Sequence, residues 1–305
     1  MGRIAAFYDT LANEFWSDSI GFFGYYECRE DKEGTTLLLS TARNWLIDQG
    51  MQKMRGPWSF VSQEWGWVLD GYSPPPVIMA PHNPPYYHQQ VLDFGMSKVK
   101  DLLAYEIDAT KGYTIPGRIL ELTDLIRERY QVKIREVNLR RFDEEINLLI
   151  QLSNNSLIQN WGYSPVTESE VKAMAHDLKP VIHTKGVLFA EDSKGNPIGF
   201  AITIPDINTI LKQIRGKLLP LGWLRLLWGI PRLTTYRMFA LGVVSEYQGK
   251  GIDSLLYRAL YEKIYSSKMR LEINYVLEDN DRMNNAILKL GASPLRRYRI
   301  YEMDI

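Results

Sequence analysis

Hydrophobic and polar positions in the second half of the chain follow the periods of alternating helices and strands. Apolar residues recur at helical spacing through residues 252–264, which predicts a helix with one buried face. Residues 271–277 alternate apolar and polar side chains, which predicts a half-buried strand. Extended over residues 132–305, the pattern predicts the order β-α-α-β-β, an insertion at residues 208–233, and then β-α-β-α-β. Such alternation of strands and helices is typical of an α/β fold.

The same series of elements is predicted twice. The first series has a strand at 21–28, a helix at 36–49, a strand at 53–60, a helix that ends at Gly95 and a strand at 102–107. The second has a strand at 237–244, a helix at 253–265, the strand at 271–277, a helix that ends at Gly291 and a strand at 298–303. Tyr105 lies ten residues after Gly95, as Tyr301 lies ten residues after Gly291. These matches indicate a tandem duplication with two related domains.

A polar helix at residues 118–130 lies between glycine- and proline-containing segments and marks the boundary between the two domains. The predicted domains are therefore residues 1–112 and 132–305, connected by residues 113–131. Further along, Thr167 followed by Glu170 has the form of a capping box, which predicts a helix that begins at residue 168.

Composition narrows the functional classes. Lys plus Arg equals 36 and Asp plus Glu equals 36, so net charge gives no reason to expect nucleic acid as a partner. The one cysteine, Cys28, excludes an intrachain disulfide and is expected to be buried, which with the absence of a secretory h-region makes the cytoplasm the default compartment. His82 and His88 lack a third ligand nearby, so no metal site is expected. No apolar run reaches the about 20 residues of a membrane span.

One turn has the pattern of a phosphate site. A predicted strand ends in Gln248-Gly249-Lys250-Gly251, and a helix begins at once. Such a junction directs free backbone N–H groups and the positive end of the helix dipole at one point. The glycines permit close approach, and the lysine adds positive charge. The alternative is an ordinary strand-to-helix turn.

The segment from Val243 to Ile252, VVSEYQGKGI, resembles the acyl-CoA motif of the GNAT superfamily of N-acyltransferases. The resemblance implies a mixed central sheet flanked by helices, with acetyl-CoA or another acyl-CoA as co-substrate. It also implies that the turn binds the CoA diphosphate and that the preceding strand holds the thioester. The residues that it assigns to acyl-CoA binding are Leu241, Val243, Gln248, Gly249, Lys250, Gly251, Ile252, Asp253 and Asn280.

Two positions depart from the family pattern. Asp253 replaces a small residue close to the expected diphosphate and would repel it unless it turns away to cap the helix. Ile287 stands where the family commonly has its proton-donating tyrosine. The resemblance still implies acyl transfer, with acetyl as the expected group, to an amine, for which Glu272, Tyr275 and Glu278 are the local candidates as proton acceptor. The alternatives are solvated strand residues for the glutamates and a core position for Tyr275, with the whole protein a silent acyl-CoA-binding or regulatory protein.

The first copy has a degenerate turn at residues 26–34, which contains four acidic residues and no paired glycines. Relative to the second copy it lacks an opening strand and two helices, so we expect the N-terminal domain to be incomplete, as in an N-terminally truncated chain. A long loop at residues 58–88 is rich in Trp, Tyr and Pro. Its aromatic side chains are expected either to line a pocket or to pack at a domain interface.

The insertion at residues 208–233 alternates Lys and Arg with Leu, Ile and Trp. This composition is typical of a pair of interfacial amphipathic helices, here interrupted at Pro220. It suggests contact with a membrane surface, as in a peripheral membrane-binding protein, or an apolar, lipid-like amine as acceptor. The alternative is a hydrophobic lid or a packing element. The pattern leaves the oligomeric state open.

Overall fold

A computed structural model describes residues 2–59, 65–165 and 167–305, which form an α/β fold and confirm the predicted fold class. The strands are β1 Arg3–Tyr8, β2 Ile20–Glu27, β3 Lys53–Gly56, β4 Trp67–Asp70, β5 Ser97–Asp108, β6 Lys133–Glu136, β7 Val187–Glu191, β8 Pro197–Pro205, β9 Thr235–Val243, β10 Arg270–Leu277 and β11 Ser293–Asp304. The helices are α1 Thr10–Trp16, α2 Lys32–Asp48, α3 Tyr87–Asp93, α4 Gly117–Tyr130, α5 Phe142–Leu157, α6 Glu168–Leu178, α7 Asn208–Gln213, α8 Gly222–Gly229, α9 Ile252–Ile264 and α10 Asp281–Lys289.

The element order predicted for residues 132–305 is confirmed, including the helical insertion between β8 and β9. The capping box that begins α6 is also present, with both the Thr167 and the Glu170 side chains bonded as predicted. In the first half, α1 was not predicted. The strand predicted to reach Phe60 ends at Gly56, and Phe60 itself lies outside the described residues.

The chain forms two compact units that are not consecutive stretches of sequence. Unit 1 contains the described residues up to Leu103 together with Val276–Asp279 and Leu295–Ile305. Unit 2 contains Ala104–Tyr275 and Asn280–Pro294. The chain terminus belongs to unit 1 because β11 pairs antiparallel with β3, from Tyr301 opposite Gly56 to Asp304 opposite Lys53.

Unit 1 is built around a mixed sheet. In it β1 is antiparallel to β2, β2 is parallel to β3, and β11 pairs with both β3 and β4. The core of this unit contains five aromatic residues in one buried cluster, Phe23, Tyr26, Trp67, Tyr87 and Tyr301. Cys28 is buried in the same cluster, as expected from the sequence.

Unit 2 has the strand order β10-β9-β8-β7-β6, with β10 parallel to β9 and the other pairs antiparallel. Successive residues of a strand face opposite sides of a sheet. On β8, a Cβ on Gly199 would lie 3.4 Å from Leu256 of α9, whereas the next residue, Phe200, packs in a cluster with Leu152 of α5. The two helices therefore cover opposite faces of the sheet.

This double cover corrects one prediction. Strand β10 was expected to be half-buried, and the alternative for Glu272 was a solvated face, but residues 271–274 are all buried. Both sides of β10 are shielded because the sheet has helices on both faces. Among the residues that the structure describes, no helix is both long and apolar enough to cross a membrane.

Candidate functional site

The turn predicted to bind phosphate connects β9 to α9 in unit 2. Gly249 and Gly251 both have φ of +82°, the left-handed region that glycine enters without strain. Gly251 is the N-cap of α9 and, lacking a side chain, forms no side-chain cap. Any residue other than glycine at position 249 or 251 would adopt this backbone conformation only with strain.

The N–H groups at this junction are open. Within the described part of the chain, five of them donate to no protein acceptor, those of Gly249, Gly251, Ile252, Asp253 and Ser254. The first bond of the helix ladder runs from Leu255 N to Gly251 O at 3.3 Å. Unpaired donors at the start of a helix, together with the positive end of its dipole, form a site for an anion.

Asp253 does not cap the helix, which corrects the expectation that it could turn away in that role. It is the second residue of α9, and its charge acts on Tyr257 one turn later. Burial first, and then the Asp253 carboxylate, raise the pKa of Tyr257 well above its ordinary value. In the first turn of α9 the Asp253 carboxylate complements the helix dipole.

Gln248 uses its side chain inside the protein. Its Nε2 donates to the main-chain carbonyl of Val243 at 3.0 Å and to that of Ser156 at 3.5 Å. The end of α5 is joined to the same turn, because Ser245 N donates to Asn155 Oδ1 at 3.1 Å. Gln248 thus fixes the turn through these two hydrogen bonds. Its predicted role in acyl-CoA binding remains a prediction.

Two cations border the turn, and sequence reasoning identified only one of them. Lys250 Nζ lies 4.5 Å from the ring centroid of Tyr247 and 5.6 Å from that of Tyr130. Arg282, on the first turn of α10, lies 3.8 Å from the position of a Cβ on Gly249. Among the described residues Arg282 has no ion-pair partner. The signal for it in the sequence was its place two residues after Asn280.

Asn280 is the N-cap of α10, with Oδ1 accepting from Met283 N at 3.1 Å. This bond fixes the start of the helix that holds Arg282. The side-chain amide group of Asn280 is left to donate elsewhere. Asn280 therefore has a structural role as the cap of α10. Its predicted contact with acyl-CoA stays a prediction.

Strands β9 and β10 separate above the turn. In the described residues their parallel pairing runs from Thr235 beside Arg270 to Met238 beside Ile273. Phe239 is an extra residue in the pairing of β9 with β8, because Ile202 lies opposite Ala240 and Thr203 opposite Met238. Such a β-bulge bends a strand locally. Beyond the bulge, Val244 N donates to Ile198 O of β8 at 3.0 Å, and the backbone groups of successive strand residues point to opposite edges, so those of Leu241 and Val243 face the gap between β9 and β10.

A buried polar array lies where the two strands separate. Arg237 is 1% exposed, and its Nε donates to Asn274 Oδ1 at 2.7 Å. Asn274 Nδ2 in turn donates to Glu272 Oε1 at 2.8 Å, and Glu272 is 4% exposed. Sequence reasoning missed Arg237 and Asn274, although a charged residue in an otherwise apolar strand was a usable signal. Buried charges are retained in proteins where they are paired or have a function.

The three proton-acceptor candidates have different surroundings. Glu272 belongs to the buried array. The half-buried Tyr275 lies 5.2 Å below the guanidinium of Arg237, a cation–π contact. Glu278 belongs to unit 1, where it pairs with Lys98 at 2.6 Å and accepts from Asp101 N at 2.9 Å. Glu278 is thus engaged in an ion pair, whereas Glu272 and Tyr275 lie beside the gap.

The matching turn of the first copy is closed. The Asp31 carboxylate caps α2 by accepting from Glu33 N and Gly34 N, both at 3.2 Å. At the start of α2, which the sequence predicts to match α9, a side chain thus occupies the N–H groups that are open at Gly251. The long loop does line a pocket, with a volume of about 660 Å³ in unit 1. Its aromatic walls are Tyr25, Tyr26, Trp58, Trp67, Tyr86 and Tyr87.

Two curated proteins are similar to the chain over nearly its whole length. The chain is 35% identical over 313 residues to protein YghO of Escherichia coli K12, covering 100% of this chain and 79% of that protein. It is 30% identical over 314 residues to the bacterial ceramide synthase of Caulobacter vibrioides, and the match covers 99% of this chain and 80% of that protein. No protein-family model matches the sequence.

Among solved structures, a tandem GNAT protein from the clavulanic acid biosynthesis pathway matches with a TM-score of 0.55 and 12% identity, covering 94% of this chain and 75% of that one. At this identity the match shows the fold alone. The chain thus has the GNAT fold, and its relatives show that it belongs to the family that contains YghO and the bacterial ceramide synthase.

Proposed function

We propose that this protein transfers an acyl group from acyl-CoA to the nitrogen of a long-chain, lipid-like amine. The observation that carries the proposal is the junction of β9 and α9, where five backbone N–H groups have no acceptor within the described residues. Lys250 and Arg282 lie beside the same donors. A diphosphate matches such a site in charge and in hydrogen-bonding capacity.

The gap between β9 and β10 supports the next step. The N–H groups of Leu241 and Val243 and the carbonyl of Leu241 would serve an extended, amide-containing chain such as the pantetheine arm of CoA, whereas the Val243 carbonyl already accepts from Gln248. Donors on such an edge would also stabilise the oxyanion that forms when the thioester carbonyl is attacked. The residues present therefore fit acyl-CoA from its diphosphate to its thioester.

The acceptor class is inferred from the relatives. A ceramide is the amide of a fatty acid and a long-chain amino alcohol, and one relative is named as a ceramide synthase. The insertion of this chain exposes apolar side chains that suit such an acceptor, among them Leu219 and Trp228. We therefore favour a long-chain amine, and a long-chain acyl group over the acetyl group expected from the superfamily.

Proton transfer completes the reaction. The attacking amine must lose a proton, the C–S bond must break, and the departing thiolate must gain a proton. We assign Glu272 as the group that accepts the proton of the attacking amine, because this carboxylate lies where β9 and β10 separate and Asn274 orients it. Ile287 is fully buried, so the position of the usual tyrosine contributes no donor. The thiolate gains its proton from another group or from solvent.

The test is release of free thiol from acyl-CoA in the presence of amines. We expect release with a palmitoyl donor and a long-chain amino alcohol, and identification of the amide product by mass spectrometry. Short polyamines and short-chain amines with the same donor are the matched controls. Binding of CoA without thiol release on any amine or donor would replace this proposal with that of a silent acyl-CoA-binding protein.

A further inference from the structure

The insertion at residues 208–233 has a charge unlike that of the rest of the chain. The whole protein has 36 cationic and 36 anionic side chains, yet no Asp or Glu occurs from Ile207 to Ser245. The insertion itself has five cations, Lys212, Arg215, Lys217, Arg225 and Arg232. In the described part of the chain none of the five forms an ion pair. The segment therefore carries a concentrated positive charge that no acidic residue of the segment neutralises.

The same segment exposes large apolar side chains. Leu219 is 80% exposed and Trp228 is 68% exposed, values that are normal for polar residues. Six large apolar residues of the insertion are exposed, namely Leu218, Leu219, Leu221, Trp223, Leu227 and Trp228. Contiguous exposed apolar groups mark a surface that another molecule covers.

These side chains are held in place by packing on their other side. Ile210 and Ile214 of the α7 region are buried, and a Cβ on Gly229 of α8 would lie 2.6 Å from Ile210. The turn between the helices is closed by Trp223, whose N donates to Leu218 O at 2.9 Å and whose Nε1 donates to Pro220 O at 3.0 Å. The exposed leucines at 218, 219 and 221 thus form the fixed tip of a hairpin of two helices.

We propose that this surface, which we call the insertion surface, docks on a bilayer that contains anionic phospholipid. Exposed Leu and Trp side chains insert at the level of the lipid headgroups, and Lys and Arg beside them attract anionic headgroups. The charge complementarity favours a lipid surface, because the surface combines five cations with apolar groups and has no acidic residue. The inference does not rest on acyl transfer, since binding is measured without acyl-CoA.

The test is cosedimentation of the full chain with phosphatidylcholine vesicles, with and without phosphatidylglycerol. We expect binding only to the anionic vesicles, weakened by added salt because screening reduces the attraction. The triple variant Arg215→Gln, Lys217→Gln, Arg225→Gln should bind about 100-fold more weakly, at about 5-fold per charge. The matched control removes three exposed cations elsewhere, by Lys194→Gln, Lys268→Gln and Lys289→Gln, and should bind as the parent does.

The apolar part has its own pair of variants. Leu219→Ser should weaken vesicle binding, whereas Leu37→Ser, which changes a leucine of α2 that is 69% exposed, should not. Quenching of tryptophan fluorescence by brominated lipid reports insertion directly, and Trp228→Phe should reduce it. The proposal is wrong if anionic vesicles do not bind the protein, or if the triple variant binds them as well as its control does. It is equally wrong if the protein self-associates in solution and Leu219→Ser abolishes that association instead.

Discussion

The guanidinium of Arg282 lies 3.8 Å from the position that a Cβ on Gly249 would occupy. The left-handed backbone of this glycine therefore lies directly beside the arginine at the start of α9. The absence of a side chain leaves that space open beside the unpaired N–H groups. Together they define a small anion site bounded by one strand end and by the starts of two helices.

Removing either cation at this site should weaken CoA binding. A hydrogen bond to a charged group contributes about 1.5–3 kcal/mol, so Arg282→Ala and Lys250→Ala should each raise the Kd for CoA by about 10- to 100-fold. Calorimetric titration measures this. Lys289→Ala, at the other end of α10, is the control that should leave the Kd unchanged. Pantetheine lacks the diphosphate, and an equal loss of its affinity in the two variants would contradict the assignment.

The two glycines should differ in their tolerance of alanine. Both have φ of +82°, which costs a residue with a Cβ about 1–2 kcal/mol. At Gly251 the added Cβ would also lie 2.4 Å from Ile126 Cδ1, whereas at Gly249 the nearest group is Arg282 at 3.8 Å. Urea unfolding should therefore show a larger loss for Gly251→Ala than for Gly249→Ala.

The steric share of that loss can be isolated. Ile126→Ala removes the group that the new Cβ would meet, so the double variant Gly251→Ala, Ile126→Ala should lose less than the sum of the two single variants. Strictly additive losses would show that the contact with Ile126 does not limit the position.

The sequence was sufficient for most of the elements, α1 excepted, and for the backbone of the turn, because both depend on local chemistry. Helical periodicity in α9 and the two glycines that follow β9 are local signals, and both proved accurate. Pairing between distant strands has no local signal. Nothing in residues 298–303 indicates that they pair with β3, so the consecutive domains expected from the sequence and the two observed units divide the chain differently.

The burial of polar residues could not be predicted from the sequence either. Glu272 alternates with apolar neighbours as a solvated residue would, and only the second helical layer, which the strand's own pattern does not reveal, makes it 4% exposed. Arg282 was missed for a related reason. Its importance depends on where α10 begins relative to Gly249, a distance in space between segments 33 residues apart in sequence.

Glu272 of β10 and Glu278, which follows the end of that strand, should respond differently to the same substitution. Glu272→Gln keeps the shape of the buried array but removes the proposed proton acceptor, so kcat should fall by about 100-fold or more while the Kd for CoA stays the same. Glu278→Gln changes a residue that is already paired with Lys98, and kcat should stay near the parent value. Steady-state kinetics with the long-chain amine measures both. Equal activity of the two variants would remove Glu272 from the mechanism.

Acid should destabilise unit 1 through Asp101, which is 2% exposed and accepts from Arg299 Nε at 2.7 Å and from its terminal nitrogen at 2.8 Å. Burial alone would raise the pKa of Asp101, but the hydrogen bonds and charge of Arg299 outweigh it and hold the pKa below the ordinary value of 3.8. A carboxyl whose folded pKa is depressed contributes stability that is fully present above its unfolded pKa and is lost as the pH falls through the folded value.

The free energy of unfolding from urea titrations should therefore change little through this group above about pH 5 and should fall below about pH 4. Asp101→Asn removes the charge and leaves Arg299 without its counter-ion, so at neutral pH it should cost about 3 kcal/mol. The variant should also lose the Asp101 share of the acid dependence, and its stability should approach that of the parent as the pH falls towards 3. If the two curves stay parallel from neutral to acid pH, the ion pair with Arg299 is not the source of the depressed pKa.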